Sequence, residues 1–198
     1  MNEKIGAKIV KLEKIDVNLN DLANFLVEAK KNGYASGKGI IKLPSGLEQV
    51  QFQKGLFHFT DTWSGHYKFG GNEIVRLSGS PIWVMNYYGG MLPEFLDPIP
   101  KKVEEFIFDK ELTKKSYEFL REALLQVNAD APFRGPVKVD PLHSSPDIGF
   151  YKDEQKGLIY TNSLDGGVRN FRGSEKIETG AGKMLYSLKY HGGLIVQK

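Results

Sequence analysis

The chain has 198 residues, a formal net charge of +3 and no cysteine. The lack of cysteine excludes disulfides, thiolate metal sites, iron–sulfur clusters and a cysteine nucleophile. Charges of both signs are spread along the chain, so the clustered basic patch of a nucleic-acid-binding protein is missing and we expect no nucleic-acid partner.

The first residues alternate lysine with aliphatic side chains and lack the apolar core of a secretory signal. No apolar run is long enough to predict a membrane span. We therefore expect a soluble, cytoplasmic protein without a membrane partner.

One amphipathic helix is predicted near the start of the chain. Residues 8–17 mix helix and strand spacing, and an edge strand is favoured. Asn18 or Asn20 then offers an N-cap and Gly33 a C-cap. Between them an apolar stripe recurs at helical spacing: Leu22, Phe25, Leu26 and Ala29.

Four or five antiparallel strands are predicted to follow this helix. A short strand is expected at residues 40–43, and period-two alternation begins at Val50. Gly55 marks a turn or bulge, and residues 78–81 predict a hairpin turn. The glycines of residues 70–72 are interpreted as another turn.

The second part of the chain predicts the same order of elements. Residues 91–100 are rich in proline and look like a hinge, and residues 101–108 predict a short helix that buries Val103, Phe106 and Ile107. Thr113 is expected to cap a second long helix, whose apolar stripe is Tyr117, Leu120, Leu124 and Val127. Strands resume at Ile148.

The chain also repeats itself in sequence. Residues 69–90 and 171–193 share Phe, Gly, Glu, Gly, Tyr, Gly and Gly in the same order, and residues 53–56 and Gly65 return at 155–158 and Gly167. Residues 25–29 are echoed at 119–123. We therefore predict an α+β tandem duplication, with repeats at residues 1–95 and 96–198 in one compact unit. Each half is expected to be a helix packed on a curved antiparallel sheet, with the halves related by a pseudo-twofold axis.

Several segments match a known sequence pattern: Phe69-x-Gly71-x-Glu73-x-Val75, Gly79-x-Pro81-Ile82-Trp83-x-Met85-Asn86-Tyr87-Tyr88-Gly89, Phe119-Leu120-x-Glu122-Ala123-Leu124 and Phe133-Arg134-Gly135-Pro136. Together they resemble a domain of unknown function of bacteria and archaea, found alone or behind a repressor-type helix-turn-helix. The resemblance implies at most a sensing or effector-binding domain, and it assigns no functional residue. Too few residues precede Asn18 for a helix-turn-helix, so we expect no DNA binding through such a module.

Acidic residues and histidines are the candidates for chemistry. Asp61 lies between His58 and His66 and could do acid–base work, or the three could form a polar loop at a strand end. In the second half their expected counterparts are Tyr160, Ser163 and Val168, which are neither acids nor histidines. Such a site is therefore expected in the first half at most. Glu73 and Glu175 recur in both halves, held either by turn amides or by a ligand. The four histidines lack ligand spacing, so we expect neither metal nor cofactor.

Alternation along the last strand of each half separates core from surface. It assigns one set to the core: Trp83, Met85, Tyr87, Tyr186, Leu188 and Tyr190. It places Asn86, Tyr88, Lys189 and His191 on the opposite face, where we expect any ligand site. With the strand aromatics and repeated acids, the ligand-binding candidates are Trp63, Tyr67, Glu73, Asn86, Tyr88, Glu175, Lys189 and His191.

Three functions are compatible with these features. The first is a non-enzymatic small-molecule-binding or sensor module, and the alternatives are a small-molecule enzyme or a protein-interaction module. A buried polar cleft with a carboxyl of raised pKa would favour the enzyme. A dry aromatic cavity would favour the ligand-binding module, and a flat exposed apolar patch would favour the interaction module. Monomer and homodimer both stay open.

Overall fold

The structure, a computed structural model, describes residues 9–12, 15–93, 109–138 and 146–195. The predicted helix at 101–108 and most of the predicted hinge lie outside the described residues. The helices are α1 (Leu19–Asn32) and α2 (Lys110–Leu124), with a 3-10 turn at Tyr34–Ser36. The strands before α2 are β1 (Ile9–Leu12), β2 (Ile15–Asn18), β3 (Ile41–Lys42), β4 (Glu48–Lys54), β5 (Phe57–Gly65), β6 (Lys68–Leu77) and β7 (Ser80–Met91). Those after it are β8 (Asp147–Asp153), β9 (Leu158–Gly167), β10 (Asn170–Thr179) and β11 (Met184–Leu194).

Nine of these strands form one antiparallel sheet in the order β3-β4-β5-β6-β7-β11-β10-β9-β8. Strands β7 and β11 meet in its middle, where Tyr87 lies opposite Tyr190. The α+β class, with a large antiparallel sheet and two helices, is therefore confirmed. The single edge strand expected over residues 8–17 is wrong, because β1 and β2 pair with each other as a separate two-stranded sheet.

Helix α1 begins and ends where its sequence predicts. The side-chain oxygen of Asn18 accepts hydrogen bonds from the backbone nitrogens of Asn20 and Asp21, at 2.9 and 3.3 Å. These are two of the donors that the first helical turn leaves unpaired. At the other end, the nitrogen of Gly33 donates to the carbonyl of Ala29 at 2.8 Å.

Helix α2 begins at a different residue from the predicted one. Asp109 is the N-cap, since its carboxylate accepts from the backbone nitrogen of Leu112 at 2.9 Å. Thr113 lies inside the first turn, and its hydroxyl donates to the carbonyl of Asp109 at 2.6 Å. A carboxylate at this position also interacts favourably with the helix dipole, which explains why it displaces the threonine as cap.

The core lies between the helices and one face of the sheet. The predicted core residues of β7 and β11 are all buried, and Trp83 stacks on Phe171 with ring centroids 5.5 Å apart. Asn86, Tyr88, Lys189 and His191 lie on the opposite face and are exposed, so the predicted register is confirmed.

The glycines at residues 70–72 do not form the predicted turn, because β6 continues through them. A Cβ atom at Gly71 would lie 2.4 Å from the carbonyl oxygen of Thr62 and 2.6 Å from the hydroxyl of Tyr87. Gly173 in β10 has the same role, since a Cβ there would lie 2.2 Å from the Tyr190 ring. Both glycines are needed because a tyrosine of the next strand packs across them.

Candidate functional site

The helix-covered face of the sheet buries several charged side chains. The tightest pair is Arg134 with Glu175: Nε and Nη2 of the arginine lie 3.1 and 2.6 Å from the two carboxylate oxygens. The hydroxyls of Tyr160 and Tyr186 donate to the same oxygens at 2.6 and 2.8 Å. Burial alone would lower the pKa of Arg134, but Glu175 outweighs it and raises that pKa well above its usual value. This pair is therefore a buried two-point ion pair whose carboxylate also accepts two tyrosine hydroxyls.

A second buried pair lies in the first half of the sheet. Lys30 of α1 places its Nζ 2.5 Å from Oε2 of Glu73 on β6. Burial lowers the pKa of Lys30, while the adjacent Glu73 carboxylate opposes that effect. Glu73 and Glu175 are thus both held by cations in mid-strand, so the interpretation that turn amides hold them is wrong.

Asp61 lies directly opposite Glu73 on β5 and is 5% exposed. Its Oδ1 accepts a hydrogen bond from the hydroxyl of Tyr87 at 2.6 Å. Burial, and then the neighbouring Glu73 carboxylate, raise the pKa of Asp61 to about 7, although Tyr87 and Lys30 act in the other direction. Asp61 is therefore a buried carboxyl that changes its protonation state near neutral pH.

The second half of the sheet has an amide at the matching place. Asn162 lies opposite Glu175 and accepts from the hydroxyl of Tyr190 at 2.8 Å. The expected counterpart of Asp61, Ser163, is therefore wrong by one residue. The cause is the β9–β10 turn, which is one residue longer than the β5–β6 turn, so that Gly166 and not Gly167 corresponds to Gly65.

A cavity of about 240 Å³ opens above Asp61, between α2, the 3-10 turn and the sheet; we call it the helix-face cavity. Its aromatic wall consists of Tyr34, Trp63, Phe69, Tyr87 and Tyr117. Its polar lining consists of Glu48, Asp61, His66, Arg121 and Arg134. Burial raises the pKa values of Tyr34 and Tyr87, so both hydroxyls stay protonated donors. A space of about 20 Å³ continues below it to Lys30 and Glu73, which is room for about one water molecule.

Arg121 of α2 lies at the other side of this cavity, with its guanidinium 5.3 Å from the centroid of the Tyr34 ring. Its Nε is enclosed and has no hydrogen-bond acceptor among the residues that the structure describes. A buried donor left in this state costs about 1 to 3 kcal/mol, and more when the group is charged. Arg121 therefore has unused capacity to bind an acceptor.

The structure divides the predicted ligand-binding residues between two faces. Trp63 and Glu73 lie on the helix-covered face, with Trp63 in the cavity wall and its Nε1 donating to Glu48 at 2.9 Å. Glu175 is on the same face but is enclosed by Arg134. Tyr67 lies in the β5–β6 turn, where its ring is 5.0 Å from that of His66.

The other four predicted residues come together on the outer face. His191 lies opposite Asn86, and Lys189 lies opposite Tyr88. Lys189 and His191 line an open groove of about 620 Å³ with Arg172 of β10. Ligand binding by these four residues stays a prediction.

The three residues considered for acid–base work are separated. Asp61 and Trp63 point to the helix-covered face of the sheet. His58 is three residues before Asp61 on β5, so it points to the opposite face, and it lies opposite Arg76. His66 is in the turn and reaches the cavity rim. The polar-loop interpretation is also wrong for Asp61, because it is buried in mid-strand.

Within the described residues, no cluster of three or more His, Asp and Glu side chains is arranged to hold a metal ion.

Sequence reasoning missed Lys30, Arg121 and Arg134. Lys30 follows Leu26 by four residues and so continues the apolar stripe of α1, which is the signal of a lysine that faces the core. Arg134 is preceded by Phe133 and followed by Gly135 in a segment that carries no periodic pattern. Its partner Glu175 is 41 residues away, and this pairing has no local signal.

The fold and site together define a two-layer α+β domain with a polar cavity between its helices and its sheet. The chain belongs to the family described as Domain of unknown function (DUF5680), which matches residues 61–195. The match includes Asp61, Arg121 and Arg134. No curated protein and no solved structure matches the chain. Neither described helix combines the length and the apolar character needed to cross a membrane.

Proposed function

We propose that the chain is a small-molecule-binding module whose ligand occupies the helix-face cavity. The observation that carries this proposal is the cavity of about 240 Å³, which combines an aromatic wall with convergent polar groups from Asp61, Arg121 and Tyr87. Small-molecule sites commonly have this composition: mostly apolar walls and a few placed donors and acceptors. A sensor or effector-binding role is in keeping with such a site.

The polar floor of the cavity adds weight to this proposal. Asp61 and Glu73 place two carboxyl groups together in the core, although an apolar pair of similar volume is often equally stable or more so. The raised pKa of Asp61 is a perturbation of the kind that clusters at functional sites. A ligand that hydrogen-bonds with Asp61 would explain why two carboxyl groups are buried together at this place.

The two tryptophans allow a direct test. Trp63 lies in the cavity wall, whereas Trp83 is fully buried in the core. A thermal-shift screen of a metabolite library should find compounds that stabilise the protein, because a ligand that binds only the native state raises its stability. Such compounds should change the intrinsic fluorescence of Trp83→Phe but not that of Trp63→Phe. A screen without hits, or hits that change the fluorescence of Trp63→Phe equally, would contradict the proposal.

Asp61 supports a second candidate, a small-molecule enzyme. A group with a pKa of about 7 can both accept and donate a proton at neutral pH, which is what a general acid–base catalyst needs. Incubating each hit with the protein and analysing the mixture by mass spectrometry would detect turnover. If the protein is an enzyme, Asp61→Asn should abolish turnover but still bind the compound. If wild-type protein leaves every compound unchanged, the enzyme hypothesis is rejected and only the binding module is supported.

We also infer that the chain is a tandem duplication, with repeats at residues 1–95 and 96–198 related by a pseudo-twofold axis. One support is the sheet order, in which β3 to β7 and β8 to β11 run inward from opposite edges. Another is a recurrent ion pair between helix and hairpin turn: Lys54 with Glu28 at 2.6 Å, and Lys156 with Glu122 at 2.5 Å. Co-expressed fragments 1–95 and 96–198 should associate through β7 and β11, and fragments that stay apart would count against the inference.

A further inference from the structure

The cations on the helix-covered face differ in how they are neutralised. Lys30 is paired with Glu73, and Arg134 with Glu175. In the described part of the chain Arg121 forms no ion pair, and its Nε lacks any acceptor. Arg121 is therefore a cation of the cavity lining that no described carboxylate pairs; its guanidinium contacts Tyr34 instead.

The approach to Arg121 is also positively charged. A groove of about 510 Å³ along α2 shares His66, Tyr117 and Arg121 with the helix-face cavity. Lys110 and Lys114 line this groove, and Glu118 is the acid among its lining residues. Clefts lined by one predominant sign of charge raise the local concentration of ligands of the opposite sign. The groove thus favours the entry of anions.

The number and shape of the charges restrict the anion. A guanidinium binds planar carboxylates through two parallel hydrogen bonds. A phosphate monoester carries up to two negative charges, and Glu48 and Asp61 line the same cavity and would repel the second one. A single unpaired cation is balanced by a single negative charge. A carboxylate therefore suits this site better than a phosphate.

The walls of the cavity restrict the rest of the ligand. Tyr34, Trp63 and Phe69 present rings that can pack against a flat apolar body, and aromatic pairs favour edge-to-face or offset contacts. A volume of about 240 Å³ holds a body of about one ring with small substituents.

From these observations, and resting on the proposed function, we propose that the helix-face cavity binds a small aromatic monocarboxylate through a two-point contact with Arg121. The carboxylate binds the guanidinium of Arg121, which no described carboxylate pairs, and the ring packs against the aromatic wall. The charge of Arg121 is then neutralised as Glu73 and Glu175 neutralise the other two cations.

The test compares three probes of one shape by isothermal titration calorimetry: benzoate, benzamide and phenyl phosphate. Benzoate should bind best, and Arg121→Gln should weaken it at least tenfold because a charge-assisted two-point contact is lost. Arg121→Lys keeps the charge without the planar fork and should give an intermediate affinity. Arg172→Gln is the matched control, since Arg172 is 80% exposed on the outer face and should not affect binding.

The outcomes separate this inference from the proposed function. Equal binding of benzoate and benzamide, unaffected by Arg121→Gln in a variant with a native circular dichroism spectrum, would overturn the carboxylate inference and leave cavity binding in place. Tighter binding of phenyl phosphate would also overturn it. Absence of binding by all three probes rejects the inference, whereas the proposed function fails only if the library screen finds no cavity ligand. If Arg121→Gln does not fold, the affinities of Arg121→Lys and Arg172→Gln for benzoate are compared instead. Equal affinities of these two variants would overturn the inference.

Discussion

Replacing Asp61 by asparagine should stabilise the protein at neutral and alkaline pH. The two residues have nearly the same shape, and Asn162 already occupies the matching place, where it accepts from Tyr190 as Asp61 accepts from Tyr87. The substitution therefore keeps that hydrogen bond and removes only the ability to ionise. Its effect isolates the cost of a buried charge beside Glu73.

The magnitude follows from the pKa of Asp61, which rises from 3.8 to about 7 on folding. One pKa unit corresponds to about 1.4 kcal/mol, so ionisation of Asp61 in the folded protein costs on the order of 4 kcal/mol. A carboxyl with a raised pKa binds its proton more tightly in the folded state than in the unfolded state. Its contribution is therefore fully present below pH 3.8 and is lost as pH rises through about 7.

Urea unfolding of both proteins between pH 5 and pH 8 measures this loss. The free energy of unfolding of wild type relative to Asp61→Asn should fall by about 2 to 3 kcal/mol over that range. Asp130→Asn, at an exposed turn position, is the control and should follow wild type. Parallel curves for wild type and Asp61→Asn would refute the reasoning, because they would mean that Asp61 ionises as easily in the core as in water.

Two further changes test the packing around the cavity. Arg134→Met should destabilise the protein by about 3 to 5 kcal/mol because it leaves the buried Glu175 without a counter-charge. Adding Glu175→Gln removes that charge but keeps an acceptor for the hydroxyls of Tyr160 and Tyr186, so it should restore much of this loss in chemical denaturation. If the double variant is no more stable than Arg134→Met, that account is contradicted. Gly71→Ala should lower the melting temperature, at a cost of about 1 to 3 kcal/mol, because its Cβ has no room. Gly167→Ala, where nothing lies within 4 Å, should be nearly neutral; equal effects would show that close approach is not the reason for Gly71.

Local patterns were enough to predict most of the elements. Helix α1 has its cap, its stripe and its terminating glycine within one short segment, so no distant contact is needed to specify it. The register of β7 and β11 was also predictable, because a lysine at position 189 and a tyrosine at 190 cannot exchange faces without burying a charge. The turn at residues 70–72 was wrong because glycine in a strand serves close approach as well as turns.

The site was less predictable, because long-range pairing specifies it. Lys30 and Glu73 are 43 residues apart, and the sequence gives no sign that one neutralises the other. Asp61 did carry a local signal, since it alternates with Phe59 and Trp63 on the buried phase of β5. The polar residues His58 and His66 on either side of Asp61 favoured a loop at a strand end instead, and this prediction was wrong. The cavity itself depends on α2 and the 3-10 turn meeting above the sheet, a geometry that periodicity does not encode.

The pairing of β7 with β11 has a consequence for how the chain folds. Within each half the strands are neighbours in sequence and join through short turns, so their contacts close small loops. The central pairing brings Tyr87 against Tyr190, and these residues are separated by about 100 others. The entropy of closing so long a loop must be met before the contacts across it contribute, which slows folding. We therefore expect the five sheet strands before α2 and the four after it to pair early, and the contact between β7 and β11 to form last.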